Sequence, residues 1–207
     1  CDLGREDARG AYRTLNFYIR NYKTLKMIVN AESNNAQDGD AIAIMRVGTD
    51  LENNFYQYEV PLKITQNGDS DPGAIWPKEN EFIVDLEEFY KLKLNRQLNQ
   101  KDNPNGYYSE KLSNGHSISI VGLPDLSNVR TILIGIKNSA TSTTSDLCAE
   151  AWFNELRLVD FANKGGYAAN ARMVAKLADF ANVTVSGNYQ SIGFGAIDNG
   201  SSAITTT

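Results

Sequence analysis

The sequence is short of the residue types that metal centres and nucleophilic enzymes depend on. It holds one histidine and two cysteines in 207 residues. A zinc site built from Cys and His would lack ligands. Cys1 and Cys148 are too few for a disulfide framework. Cys148 reads as a small buried hydrophobe rather than a reactive thiol, and Cys1 stands where a mature lipoprotein carries its lipid. Positive charge is also scarce: 20 Lys and Arg against 25 Asp and Glu give a net charge of −5. An acidic chain without a basic block points away from nucleic acid. No apolar run approaches the roughly 18 residues of a membrane helix. No basic-then-apolar leader opens the chain. The chain begins CDLGREDARG, without an initiating Met, and stops in SSAITTT, so it reads as a piece of something longer.

Catalytic motifs are missing as well. His116, in SNGHSIS, would need Cys148 brought beside it to act as a base, and reads instead as a surface or locally bonded histidine. Asn67, Asp69 and Asp71 in QNGDSDPG resemble the start of a calcium loop, but the twelfth position is Lys78, not Glu. That segment and AQDGD, with Asp38 and Asp40, read as solvated turns. GFGAIDNG lacks dinucleotide spacing, and no P-loop is present. Glu87 and Glu88 read as solvated charges, and nothing selects a glycosidase pair. Trp76, in AIWPKEN, is a candidate for stacking on a ligand. Trp152, in a strand beside Phe153, is read as core. The expectation is therefore a protein that is not an enzyme and has no metal and no cofactor.

Strand patterns make up most of what remains. LNFYIR, TLKMIVNAE, AIAIMRVGTD, NFYQYEVPLKI, SISIVGL, RTILIGI and AWFNELRLV carry the apolar alternation of strands between polar turns. NEFIVDLEEFYKLKLNRQL is ambiguous: Phe82, Val84 and Leu86 alternate, while Leu86, Phe89 and Tyr90 suit one or two helical turns. Seven or eight short strands predict an all-β fold, an antiparallel jelly-roll-like sandwich. The domain reading is a lead-in at 1–10, a sandwich insert over 11–163, and a separate β-hairpin with a loop over 164–207.

The final segment differs in kind. Tyr167, Ala169, Ala171, Met173, Ala175 and Leu177 form one alternating series. Asn170, Arg172 and Lys176 form the other, with Val174 as the exception. After a short turn, Val183, Val185, Gly187 and Tyr189 alternate with Thr184, Ser186 and Asn188. About ten residues per strand, one greasy face and aromatics near the ends is the pattern of outer-membrane barrel strands. An amphipathic hairpin covering a soluble core fits the same pattern equally well.

Three stretches then resemble a known family: NELRL at 154–158, GGYAANAR at 165–172 and KLADFANVTVSG at 176–187. They are similar to the SprA/Sov family, very large outer-membrane proteins of Bacteroidota. These form the translocon of the type IX secretion system and serve gliding motility. The resemblance covers about the last third of the chain and implies one segment of a protein-conducting transmembrane β-barrel, with its remaining strands elsewhere. On that implication Tyr167, Ala169, Ala171, Met173, Ala175, Leu177, Val183, Val185 and Tyr189 face lipid. Asn170, Arg172, Lys176, Thr184, Ser186 and Asn188 face the lumen. The implied partners are the rest of the same barrel, a PorV-type barrel, a plug protein, and cargo proteins with C-terminal signal domains. Outer-membrane barrels have short periplasmic turns, so the turn at 177–182 is expected in the periplasm and the sandwich at the extracellular face. The competing reading is a soluble jelly-roll carbohydrate-binding module of a cell-surface protein, using Trp76, Tyr107 and Tyr108. A hydrolase is the weakest reading.

Overall fold

The computed structural model describes residues 3–17, 19, 21–66, 68–100, 103, 105–143, 145–161, 167–178 and 180–190. These form two compact units, Cys1–Phe161 and Ala162–Thr207.

The first unit is built from two antiparallel sheets. Its strands are β1 (Leu3–Gly4), β2 (Ala8–Phe17), β3 (Tyr22–Ser33), β4 (Ala41–Gly48), β5 (Phe55–Pro61) and β6 (Phe82–Asp85). They continue with β7 (Tyr108–Lys111), β8 (Ser117–Val121), β9 (Val129–Asn138), β10 (Asp146–Leu147) and β11 (Ala149–Phe161). The larger sheet has the order β2-β9-β4-β5-β8-β7 and the smaller β11-β3-β6, with β1 and β10 paired separately. The all-β, antiparallel expectation is met. The six-and-three division is uneven, unlike the regular eight-stranded jelly roll. Residues 3–10, read from sequence as a lead-in, already hold β1 and the start of β2.

Side chains alternate across a strand, so every second residue can face one shared core. Leu25, Met27, Val29 and Ala31 of β3 do so, as do Ala43, Met45 and Val47 of β4, and Tyr56, Tyr58 and Val60 of β5. Phe82 and Val84 of β6 join the same cluster with Ile118 and Ile120 of β8. Aromatic contacts stitch the layers: Tyr58 lies 5.7 Å from Phe82, and Tyr56 stacks at 4.8 Å on Phe89.

The ambiguous segment resolves into both of its readings in succession. After β6, Asp85 accepts a hydrogen bond from the Glu87 backbone N–H and caps a helix of 14 residues, Leu86–Asn99. It follows a one-turn helix, α1 (Pro72–Ile75), and is called α2. α2 exceeds the one or two turns expected. It buries Leu86, Phe89, Leu92 and Arg96, yet exposes Tyr90, Leu94 and Leu98, and apolar residues on both sides blur the helical period. Arg96 is 0% exposed. Its guanidinium donates to the carbonyls of Gly106 (3.1 Å) and Gly122 (2.7 Å), tying α2 to two loops, and burial pushes its pKa down.

The second unit contains β12 (Ala168–Leu177) and β13 (Ala181–Gln190), paired with each other. Among the described residues no sheet closes into a barrel.

Candidate functional site

Antiparallel pairing places directly opposed residues on the same face. The register of β12 and β13 therefore decides whether their two apolar series meet. Ala169 opposes Tyr189, Ala171 opposes Gly187, and Met173 opposes Val185. Ala175 opposes Val183, and Leu177 opposes Ala181. One face is thus apolar along its whole length. On the other face Asn170 opposes Asn188, Arg172 opposes Ser186, and Lys176 opposes Asn182. Val174, opposite Thr184, is the one branched aliphatic among these polar pairs. A slip of one residue would mix the faces.

Three residues turn the chain between Leu177 and Ala181. Ala178 takes a φ of +43° there, and the Phe180 N–H donates to the Leu177 carbonyl at 2.9 Å. Phe180, at the tip, is 93% exposed. The apolar face is open too: Met173 is 61% exposed and Val185 55%, and Leu177, Val183 and Tyr189 are exposed with them. Tyr167 precedes β12 and is also exposed. A two-stranded hairpin is marginal in water on its own. This one has a whole apolar face to cover and, among the described residues, two unpaired strand edges.

The remaining candidates are occupied locally. His116 Nδ1 lies 2.9 Å from the Tyr58 hydroxyl and 3.1 Å from the Asn114 amide, and burial lowers its pKa. Cys148 is disulfide-bonded, so the thiol a His116–Cys148 pair requires is not free. This also corrects the reading of Cys148 as a simple buried hydrophobe; Cys1 lies outside the described residues. Asp71 caps α1 through the Gly73 and Ala74 N–H groups, and Asp69 accepts from the Gln66 N–H. Asn67 lies outside the described residues. Asp38 accepts from the Ile64 N–H. Asp40, buried, accepts from the Gln37 N–H and from the Thr143 N–H and hydroxyl. Burial raises its pKa, but these bonds outweigh it and the net shift is downward. Among the described residues no three His, Cys, Asp or Glu side chains could hold a metal. Glu87 and Glu88 both pair with Lys91, at 3.6 and 2.8 Å.

One of the two tryptophans departs from expectation. Trp76 is half-buried just after α1. Trp152 is 59% exposed, not core. Neighbours in a strand face opposite ways, and Phe153 takes the inward place in the pair, packed against the core cluster.

A family described as motility related/secretion protein, SprA_N, matches residues 2–204. The chain belongs to that family. The match runs through the sandwich as well as the last third, so the first unit is as much a part of the family sequence as the hairpin. Motility and secretion are accordingly the setting in which the protein works. No curated protein matches the sequence.

The stretches that carry the resemblance have definite places. NELRL forms a β-bulge in β11, where the register with β3 shifts between Asn154 and Arg157. Glu155 there has φ +55°, a left-handed conformation costly for a residue with a side chain. The Asn154 carboxamide oxygen accepts from the Glu155 N–H at 2.8 Å, and Arg157 pairs with Glu155 at 3.3 Å. GGYAANAR enters β12, its two glycines lying outside the described residues. KLADFANVTVSG supplies the end of β12, the turn and most of β13.

Proposed function

We propose that the chain is a segment of a protein-conducting outer-membrane translocon for type IX secretion and gliding motility. The observation that carries this reading is the cross-strand register: Ala169, Ala171, Met173, Ala175 and Leu177 of β12 each meet an apolar residue or glycine of β13 on one exposed face, with Val174 alone among the large aliphatics on the other. Lipid is the medium that suits an uncovered face of that kind, while the opposite face of Asn, Arg, Lys, Ser and Thr suits a wet lumen. In hydrocarbon every backbone group must be paired, so the two open edges call for neighbouring strands from the rest of the barrel. On this reading Tyr167 and Tyr189, which lie together at the end of the hairpin away from its turn, sit at one membrane interface.

The disulfide at Cys148 supports a site outside the reducing cytosol. The sandwich is read as jelly-roll-like because its pairings nest. The early strands β2 and β3 pair with the late strands β9 and β11. It lies at the extracellular mouth, where it caps or shapes the exit or docks a partner. A PorV-type barrel, a plug protein and cargo with C-terminal signal domains are the partners this role implies. No chemistry is asked of the sandwich.

The test compares residues 1–161 with residues 1–207, each expressed alone under oxidising conditions. The shorter chain should stay in water, folded and rich in strand. The longer should partition into detergent micelles or vesicles. If both remain soluble monomers, the hairpin covers a soluble core and the translocon reading falls. Orientation has its own test: protease added to intact cells should cut within QNGDSDPG. Protection of that loop in folded, surface-exposed protein would overturn the extracellular placement.

A further inference from the structure

The outer face of the small sheet carries an arrangement that a purely structural channel segment does not require. Trp152 stands on it, more than half exposed. Its indole N–H donates to the Glu150 carboxylate at 3.0 Å. The polar edge of the ring is thereby held, while more than half of the side chain stays open to solvent.

Glu150 also lines a cleft of about 400 Å³, with Glu32, Ser33, Asn34 and Thr65. That volume lies in the range that takes a small ligand (roughly 300–1,000 Å³). A second connection joins the ring to the cleft. Asn30 lies directly across from Trp152 in the β3–β11 register, on the same face. It is 2% exposed, and its amide donates to the Thr65 hydroxyl at 2.9 Å and to the Ile75 carbonyl at 2.7 Å. Its carboxamide oxygen accepts no hydrogen bond among the described residues. A buried acceptor left in this state is uncommon and costs stability.

We propose that this face binds a neutral sugar, a pyranose stacked on Trp152 with its hydroxyls directed into the adjoining cleft. The reasoning is chemical. A pyranose offers a flat C–H face, which packs on the electron-rich face of an indole. Its edge carries several hydroxyls, each both donor and acceptor. The cleft matches that edge with carboxylates, a hydroxyl-bearing wall and an exposed amide, spread over a volume too large for a single point charge. Among the described residues no Lys, Arg or His lines it, and Glu32 and Glu150 repel anionic sugars. The site differs from Trp76, Tyr107 and Tyr108, the aromatics that the sequence suggested. It is independent of the hairpin, so either reading can fail alone.

The experiment uses the full chain with Trp76→Phe, which leaves Trp152 as the only tryptophan. Its fluorescence is titrated with cellobiose, maltose and chitobiose, and with a lysine tripeptide and glucuronate as charged controls. At least one neutral disaccharide should give a saturable change at millimolar concentration or below. By calorimetry that affinity should fall at least about tenfold in Trp152→Ala, as expected for loss of a tryptophan anchor. Glu32→Gln should weaken it by a smaller factor. Trp152 lies outside the core, so an unchanged thermal midpoint should show that the variant is folded. The proposal is overturned if no neutral sugar saturates, if Trp152→Ala binds as well as its parent, or if only the lysine peptide binds.

Discussion

The sandwich and the hairpin use the same device, period-two alternation, and end in opposite states. In the sandwich the apolar series of β3, β4, β5 and β8 share one core with Phe82 and Phe89. In the hairpin an equally regular series lies open along one side. Alternation thus fixes that one face is apolar, without saying what covers it. The covering must come from a second layer or from a non-aqueous solvent. The sandwich brings its own second layer. The hairpin has none among the described residues, and that difference is the physical ground for the proposal that its apolar face meets lipid.

The contrast can be broken most strongly with one aromatic in each region. Phe82→Ala empties a fully buried site and should cost roughly 3–5 kcal/mol in denaturant unfolding. Phe180→Ala, at the exposed tip of the hairpin, should change sandwich stability by less than about 0.5 kcal/mol. Equal effects would mean that the two regions form one core.

A charge on either face of the hairpin sharpens it further. Met173→Arg should cost about 2–4 kcal/mol at mid-membrane. The readout is the yield of assembled protein in outer membranes. Ser186→Arg, on the face that already carries Arg172, should assemble normally. In the isolated chain in water Met173→Arg should instead improve solubility.

The sandwich also carries a pH signature in its loops. Asp50 has a pKa lowered to about 2, chiefly by the Asn53 N–H, with the Asn54 side chain and the Glu52 and Asn54 N–H groups adding to it. A carboxyl with a depressed folded pKa contributes stability that is complete above its unfolded value, about 3.9. That stability is lost as pH falls toward 2. Unfolding midpoints measured across this window should drop, and Asp50→Asn should flatten the dependence.

The smallest expected effect is at the bulge. Glu155→Gly relieves a left-handed backbone at φ +55°. It should be neutral or stabilising by up to about 1 kcal/mol, less what the exposed Arg157 pair contributes. Clear destabilisation would show that the Glu155 side chain matters more than its backbone.

Much of this was legible in the chain because strand alternation is local. TLKMIVNAE, AIAIMRVGTD and the two hairpin strands could be read directly. What escaped was non-local or masked by neighbours. β3 pairs with β11 across more than a hundred residues, and no local pattern announces that partnership. The full length of α2 is hidden in the sequence because Tyr90, Leu94 and Leu98 lie exposed beside a buried stripe that ends in Arg96. The adjacency of Phe153 suggests an inward Trp152, yet adjacency in a strand puts the two side chains on opposite faces. The candidate sugar face was missed for that reason. Two cysteines are too few for a disulfide framework but enough for a single bridge, which the reading of Cys148 as a buried hydrophobe passes over.

The most direct test of the account is a spin-label scan of β13, positions 183 to 189, in the protein assembled in its outer membrane. Val183, Val185, Gly187 and Tyr189 should show high collision with oxygen and little with a water-soluble nickel complex. Thr184, Ser186 and Asn188 should show the reverse, giving a period of two. If both series meet the nickel complex equally, or if the odd positions are shielded from oxygen and nickel alike, the apolar face is not in lipid and the central claim is wrong.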